Sequence, residues 1–139
     1  MYNNAKYLGN STNPYLVLVK ASDTSLTTCD IHTGAKIILI FAFDNCTSLK
    51  SVTIPNSVTT ICNAAFYYCN SLSTVYYGGT AEEWADISID STGNDKLTSA
   101  TVYYYSETEP ALNEDETAYD GNYWHFVEGE IVIWVKETV

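Results

Sequence analysis

A repeat solenoid with a parallel β-sheet on one face, a short helix and a C-terminal β-hairpin cap is the fold class that this 139-residue chain predicts. Three observations carry it. A step of 23 residues maps the chain onto itself: Ala42-Phe43 onto Ala65-Phe66, Cys46 onto Cys69, Ser48-Leu49 onto Ser71-Leu72, and Val52 onto Val75. Run backwards, the same step lands Ser25-Leu26 on Ser48-Leu49, Ile31 on Ile54 and Ile38 on Ile61. Within each unit, Ser-Leu-x-x-Val-x-Ile alternates apolar and polar as a half-buried strand does. A fixed period in the twenties with leucine and isoleucine at set offsets marks a leucine-rich-repeat solenoid. No single unit can bury its own apolar face, so neighbours must stack.

In chain order, residues 1–24 read as an N-terminal cap, in which Pro14 to Val19 forms a strand leading into a degenerate first repeat at 25–38. Residues 25–79 hold the repeats. Their inward set is Leu26, Cys29, Ile31, then Leu49, Val52, Ile54, then Leu72, Val75, Tyr77. Pro55 ends its strand because it cannot donate to a ladder. The chain turns at Asn56-Ser57, and Val58 and Ile61 re-enter the core, while Ala42-Phe43 and Ala65-Phe66 plug the convex side. Residues 80–139 form a C-terminal cap with an acidic loop and a hairpin. Thr80-Ala81-Glu82-Glu83 is a capping box, so a short helix from Ala81 to about Asp86 buries Trp84 and Ile87. Leu97, Ala100 and Val102 follow Leu72, Val75 and Tyr77 after 25 residues and predict a fourth strand. Glu107 to Asp120 is the acidic loop. Tyr123–Val127 and Ile131–Val135, joined by Glu128-Gly129-Glu130, form the terminal hairpin. One domain accounts for all 139 residues.

The net charge of −11 is unevenly spread. Residues 1–79 carry four lysines and three acids, whereas residues 80–139 carry two lysines and 14 acids. Arginine is absent. Nucleic-acid binding needs a basic face and favours the guanidinium fork, so nucleic acid is excluded as a partner. The longest apolar run, Ile37 to Phe43, is too short for a membrane span, which needs about 20 residues. No signal peptide is visible near the N-terminus, which fits a cytosolic chain, or a fragment or mature form without its targeting segment.

Cys46 and Cys69 hold one slot in successive repeats, so they stack in parallel rather than pair. Cys29 shares the slot of Val52 and Val75 and reads as a small buried hydrophobe. Four buried free thiols are expected, and with no CxxC pair and no neighbouring histidine they do not form a metal site.

The run Leu49-x-x-Val52-x-Ile54-Pro55-x-x-Val58-x-x-Ile61-x-x-x-Ala65-Phe66-x-x-Cys69-x-x-Leu72 resembles the BspA-like class of bacterial leucine-rich repeats. Tyr76-Tyr77-Gly78-Gly79-Thr80-Ala81-Glu82-Glu83-Trp84 resembles the ending of such arrays, and together the likeness covers about residues 25–105. The resemblance implies a secreted or surface-displayed bacterial protein whose repeats serve in adhesion and protein contact. It implies no catalytic residues and no cofactor. Two departures stand out. Leu39 and Cys62 occupy the position where the family usually has glycine, and only two clear repeats with flanking partial ones are present, as in the C-terminal piece of a longer array.

Catalytic motifs are missing: no Gly-x-Ser-x-Gly, His-Glu-x-x-His, P-loop or dinucleotide fingerprint occurs. His32 aligns with Pro55 at a turn and is expected in a solvated spot, and His125, between Trp124 and Phe126, in a surface or packing role. Asp90 and Asp95, and Glu114, Asp115, Glu116 and Asp120, could hold calcium but lack EF-hand spacing, so solvated loops are expected.

What remains is surface. Thr28, Asp30, Ser51, Thr53, Thr74, Tyr76, Ser99, Thr101, Tyr103 and Tyr105 alternate with the inward set and face outward. Ser51, Thr53, Thr74, Tyr76, Thr101, Tyr103 and Tyr105 are the candidate binding face, because tyrosine with small hydroxyls suits adaptable recognition. The same residues also simply suit exposed strand positions. Leu39, Ile40 and Phe41 fall where the next repeat has Cys62, Asn63 and Ala64, which predicts an exposed Ile40 in a small apolar patch. That patch meets the folded-back N-terminal segment, another copy in weak homo-association, or a partner. The expected function is a non-enzymatic adhesion or protein-interaction module with a host or self protein as ligand. The alternative is a carbohydrate-binding module with Tyr76, Tyr103, Trp124 or Trp134 as stacking platforms.

Overall fold

A computed structural model describes residues 2–137. Its repeats wind a solenoid with two ladders of strands. The main sheet takes β3 (Thr28–Asp30), β5 (Ser51–Ile54), β7 (Thr74–Tyr77) and β9 (Thr101–Tyr105) side by side and parallel. The hairpin β10 (Tyr123–Val127) and β11 (Glu130–Ile133) follows, β10 running parallel to β9. A second sheet stacks β4 (Ile37–Ile38), β6 (Thr60–Ile61) and β8 (Ser88–Ile89) in parallel. An antiparallel pair, β1 (Ala5–Leu8) and β2 (Val17–Ala21), closes its N-terminal edge. The N-terminal strand is thus Val17–Ala21 rather than Pro14 to Val19, and β1 and the second sheet are additions to the expected single-sheet face.

The register follows the repeat. Cys29, Val52 and Val75 lie in one row, as do Asp30, Thr53 and Tyr76. All nine residues of the inward set are buried, from fully enclosed Leu49, Ile54 and Val75 to Leu26 at 8% exposed. Each such burial contributes about 1.5–3 kcal/mol of transfer free energy. The fourth strand corrects the expected alignment. Val75 pairs with Val102 and Tyr77 with Tyr104, so the last turn is longer than the expected 25 residues and Ala100 faces no row. That turn holds two short helices, α1 (Ala81–Ala85) and α2 (Asp95–Thr98). Leu97 lies in α2, fully buried, and Ser99 is the C-cap of that helix, with its hydroxyl bonded to the Asp95 carbonyl at 2.6 Å. Ser99 therefore leaves the outward face.

The capping box forms as the residues dictate: Thr80 Oγ1 accepts from the Glu83 N–H at 3.2 Å, and Glu83 Oε1 accepts from the Thr80 N–H at 3.4 Å. Trp84 is only half-buried, edge-on to Tyr77 at 5.1 Å, while Ile87 is buried.

The Ala-Phe turns are fully enclosed. Phe43 and Phe66 stack at 4.8 Å with planes 11° apart, and the Phe43 N–H donates to the Ala65 carbonyl of the next turn at 2.7 Å. Left-handed backbone recurs with the repeat, at Phe41 and Ala64 and again at Asn45 and Tyr68. Where the stack ends, no further Ala-Phe turn exists to accept from Phe66. Asn94 substitutes: its Oδ1 accepts from the Phe66 N–H at 3.1 Å, and its Nδ2 donates to the Cys62 and Asp90 carbonyls. Gly93, at φ +72°, permits this approach, since a Cβ there would lie 2.9 Å from the Cα of Ala64.

All four cysteines are free thiols. Burial pushes Cys29 and Cys69 up to about 12 and Cys46 up to about 11, so these three stay protonated at neutral pH. Cys62 is only half-buried, against the expectation of four buried thiols.

Candidate functional site: a cleft between the sheet and the hairpin

The outward rows of the main sheet present Thr28, Ser51, Thr74 and Thr101 in one line, and Asp30, Thr53, Tyr76 and Tyr103 in the next. Tyr105 lies one position further, opposite Trp124. Alternation along each strand forces these side chains away from the core. Tyr76 and Tyr103 contact each other at 5.7 Å between ring centres. Burial first, then the neighbouring Tyr103, raises the pKa of the Tyr76 hydroxyl above its ordinary value.

Trp124, Phe126, Ile131 and Ile133 share one face of the hairpin, since Trp124 pairs with Ile133 and Phe126 with Ile131. Trp124 anchors that face. It is 2% exposed, packs on Tyr105 at 5.1 Å and Phe126 at 5.0 Å, and donates its indole N–H to the Tyr77 carbonyl at 2.8 Å. Trp134 donates to the Ser106 carbonyl at 2.8 Å and stacks on His125 at 3.9 Å. The hairpin is thereby tied to the sheet end through Trp124 and Trp134, while Phe126, Val127 and Val132 remain exposed.

β3 and β11 lie at opposite ends of the strand order, yet residues of both line one cleft. The hairpin must therefore fold back across the outward face. The cleft encloses about 570 Å³, with Asp30, Ser51, Thr53 and Tyr76 as floor and Phe126, Glu130 and Ile131 as roof. It adjoins an apolar hollow of about 210 Å³ beneath Phe126, formed by Pro55, Tyr105 and Trp124. Of the face residues expected from alternation, Thr28, Asp30, Ser51, Thr53 and Tyr76 line the cleft, and Thr53 and Tyr105 the hollow. Thr74, Thr101 and Tyr103 share the face but lie outside both linings. Phe126, Gly129, Glu130 and Ile131 enter the site without any local signal in the sequence beyond their hairpin pattern.

The other candidates sort as follows. Ile40 and Phe41 are 45% and 46% exposed, and Leu39 is half-buried with its N–H bonded to the Leu18 carbonyl. The N-terminal strands thus reach Leu39 but leave Ile40 and Phe41 uncovered. His32 is not in a solvated spot. It stacks on Tyr15 at 3.7 Å, meets Tyr2 and Tyr7 edge-on, and its Nδ1 accepts from the Gly34 N–H at 2.9 Å. Tyr7, pushed up to about 12 chiefly by burial, accepts at its hydroxyl from the His32 backbone N–H. The loop carboxylates serve local turns: Asp90 accepts from the Thr92 N–H, Asp115 from Thr117, and Asp120 from the Tyr123 hydroxyl at 2.6 Å. That last bond pushes Tyr123 up to about 12. Of the stacking platforms in the carbohydrate reading, Trp124 is enclosed and Trp134 has one face against His125.

No helix of the described residues is long and apolar enough to cross a membrane. No curated protein and no solved structure matches the chain. Residues 21–99, more than half of the chain, match the model of the BspA type leucine-rich repeat region in six copies. The chain belongs to this family of leucine-rich repeats, generally non-enzymatic modules suited to protein interaction.

Proposed function

We propose that the chain is the adhesion or protein-interaction module of a bacterial surface or secreted leucine-rich-repeat protein, and that its protein ligand enters the cleft under the hairpin. The carrying observation is the cleft itself, a recess of about 570 Å³ between strands and an overhanging arm. Its floor hydroxyls on Ser51 and Thr53 can both donate and accept, which suits a polypeptide backbone. Tyr76 and Phe126 add rigid apolar area at low entropic cost. The absence of arginine and the charge of −11 disfavour a nucleic-acid ligand.

The test is biolayer interferometry against purified host extracellular proteins and against the chain itself. Thr53→Arg, which fills the cleft, should weaken a protein ligand at least tenfold, with the fold checked by circular dichroism. Ser99→Arg, outside the cleft, should bind as the wild type does. Protein binding indifferent to Thr53→Arg would remove the cleft from the reading. Glycan-array binding lost on Tyr103→Ala would replace the protein ligand by carbohydrate.

A further inference from the structure

Resting on that cleft reading, we infer that the ligand enters as an extended peptide segment, with a lysine or arginine side chain held between Asp30 and Glu130 and an apolar residue beside it. The two carboxylates come from opposite walls, Asp30 from strand β3 of the floor and Glu130 from the start of β11 in the roof. Among the described residues that line the cleft there is no lysine, arginine or histidine, so none of them offers a counter-charge to the two carboxylates. Tyr2, Tyr76 and Phe126 line the same space. An ammonium or guanidinium group is attracted to such ring faces as well as to carboxylates. An anionic ligand would meet like charge on both walls.

Size selects the form of the ligand. About 570 Å³ is the scale of a small-ligand pocket. It accepts a few side chains and one extended backbone but no folded domain. The adjoining hollow of about 210 Å³ is walled by Pro55, Trp124 and Phe126, which favours an apolar side chain over a second charge. Hydroxyl rows on the floor and a basic–apolar pair in the ligand are complementary. The cost of desolvating two partly exposed carboxylates is small, so the pair adds selectivity more than affinity.

The probe is a phage-displayed library of random dodecapeptides, panned on the wild type and on Thr53→Arg in parallel. Peptides enriched only on the wild type should share a lysine or arginine next to an aliphatic residue. The strongest, made synthetically, should lose at least tenfold in affinity when its basic residue becomes glutamine. It should lose as much against the double variant Asp30→Asn/Glu130→Gln, whose changes are exposed and leave the core untouched. Raised salt should weaken it too. Wild-type-only peptides that lack a basic residue, or that bind the double variant equally well, would overturn the inference and leave the cleft standing. Equal enrichment on the wild type and on Thr53→Arg would overturn the cleft reading and the inference together.

Discussion

Asn94 shows how much a single side chain can do at the end of a ladder. Fully buried, it replaces the carbonyl that a further turn would have offered to Phe66. Asn94→Ala strands that N–H and two carbonyls, and a buried unsatisfied group costs about 1–3 kcal/mol; urea melts should show a loss of that order. Phe66→Ala acts on the same turn through packing. It empties a fully enclosed site stacked on Phe43 and should cost about 3–5 kcal/mol, so the two variants separate polar from apolar support. The thiols give a chemical check of the register. Cys62 is half-buried and the other three are enclosed, so iodoacetamide should label one site on the native protein. Under denaturing, non-reducing conditions it should label four. Two or fewer labelled after denaturation would mean pairing and break the stacked arrangement.

At the scale of elements, strands whose outward and inward residues alternate were legible, because burial on one face imposes a period of two. β5 and β7 follow directly from Val52-Thr53-Ile54 and Val75-Tyr76-Tyr77. The two-residue strands of the second sheet carry no period, which is why only Ile38 and Ile61, linked by the 23-residue step, stood out among their apolar members. The last turn misled for a different reason. Leu97 and Ala100 imitate the strand spacing, but Leu97 is the buried face of a helical turn, and the true row begins at Thr101. The outward direction of the candidate face was equally legible, whereas its partial cover was not: Ser51, Thr53, Thr74, Tyr76, Tyr103 and Tyr105 are half-buried and only Thr101 is exposed. Nothing local in Tyr123–Ile133 tells where a hairpin will lie; Trp124 decides that through contacts made across 47 residues. The hairpin turn is also where sequence and geometry disagree. Glu128 and Gly129 both adopt positive φ, +51° and +83°, the turn for which Asn-Gly is preferred. Glu128→Asn should therefore raise stability by a few tenths to about 1 kcal/mol, seen as a higher urea midpoint with an unchanged m-value.

For the whole molecule, charge is concentrated in the C-terminal part of the chain, whereas exposed apolar side chains occur in both parts. Residues 80–139, which include the hairpin, carry 14 acids and two lysines, while residues 1–79 are close to neutral. The exposed large apolar side chains of the repeats fall in that neutral part: Ile40 and Phe41 in one turn, Tyr67 and Tyr68 in the next. Tyr67 and Tyr68 lie 4.1 Å apart between ring centres, and the Asn45 N–H binds the Tyr67 carbonyl, so the two turns are neighbours. An uncovered apolar strip of this kind favours contact with a second copy, and the net charge of −11 opposes it. The balance should shift with ionic strength, because the screening length falls from about 10 Å at 0.1 M salt to about 3 Å at 1 M. Sedimentation velocity at high protein concentration should then show monomer at low salt and a monomer–dimer equilibrium at high salt. Ile40→Asn, which copies the residue of the next repeat at Asn63, should remove the dimer without lowering the melting temperature. A dimer that survives Ile40→Asn would place self-association elsewhere, and a monomer at every salt concentration would leave Ile40 and Phe41 with no role in it.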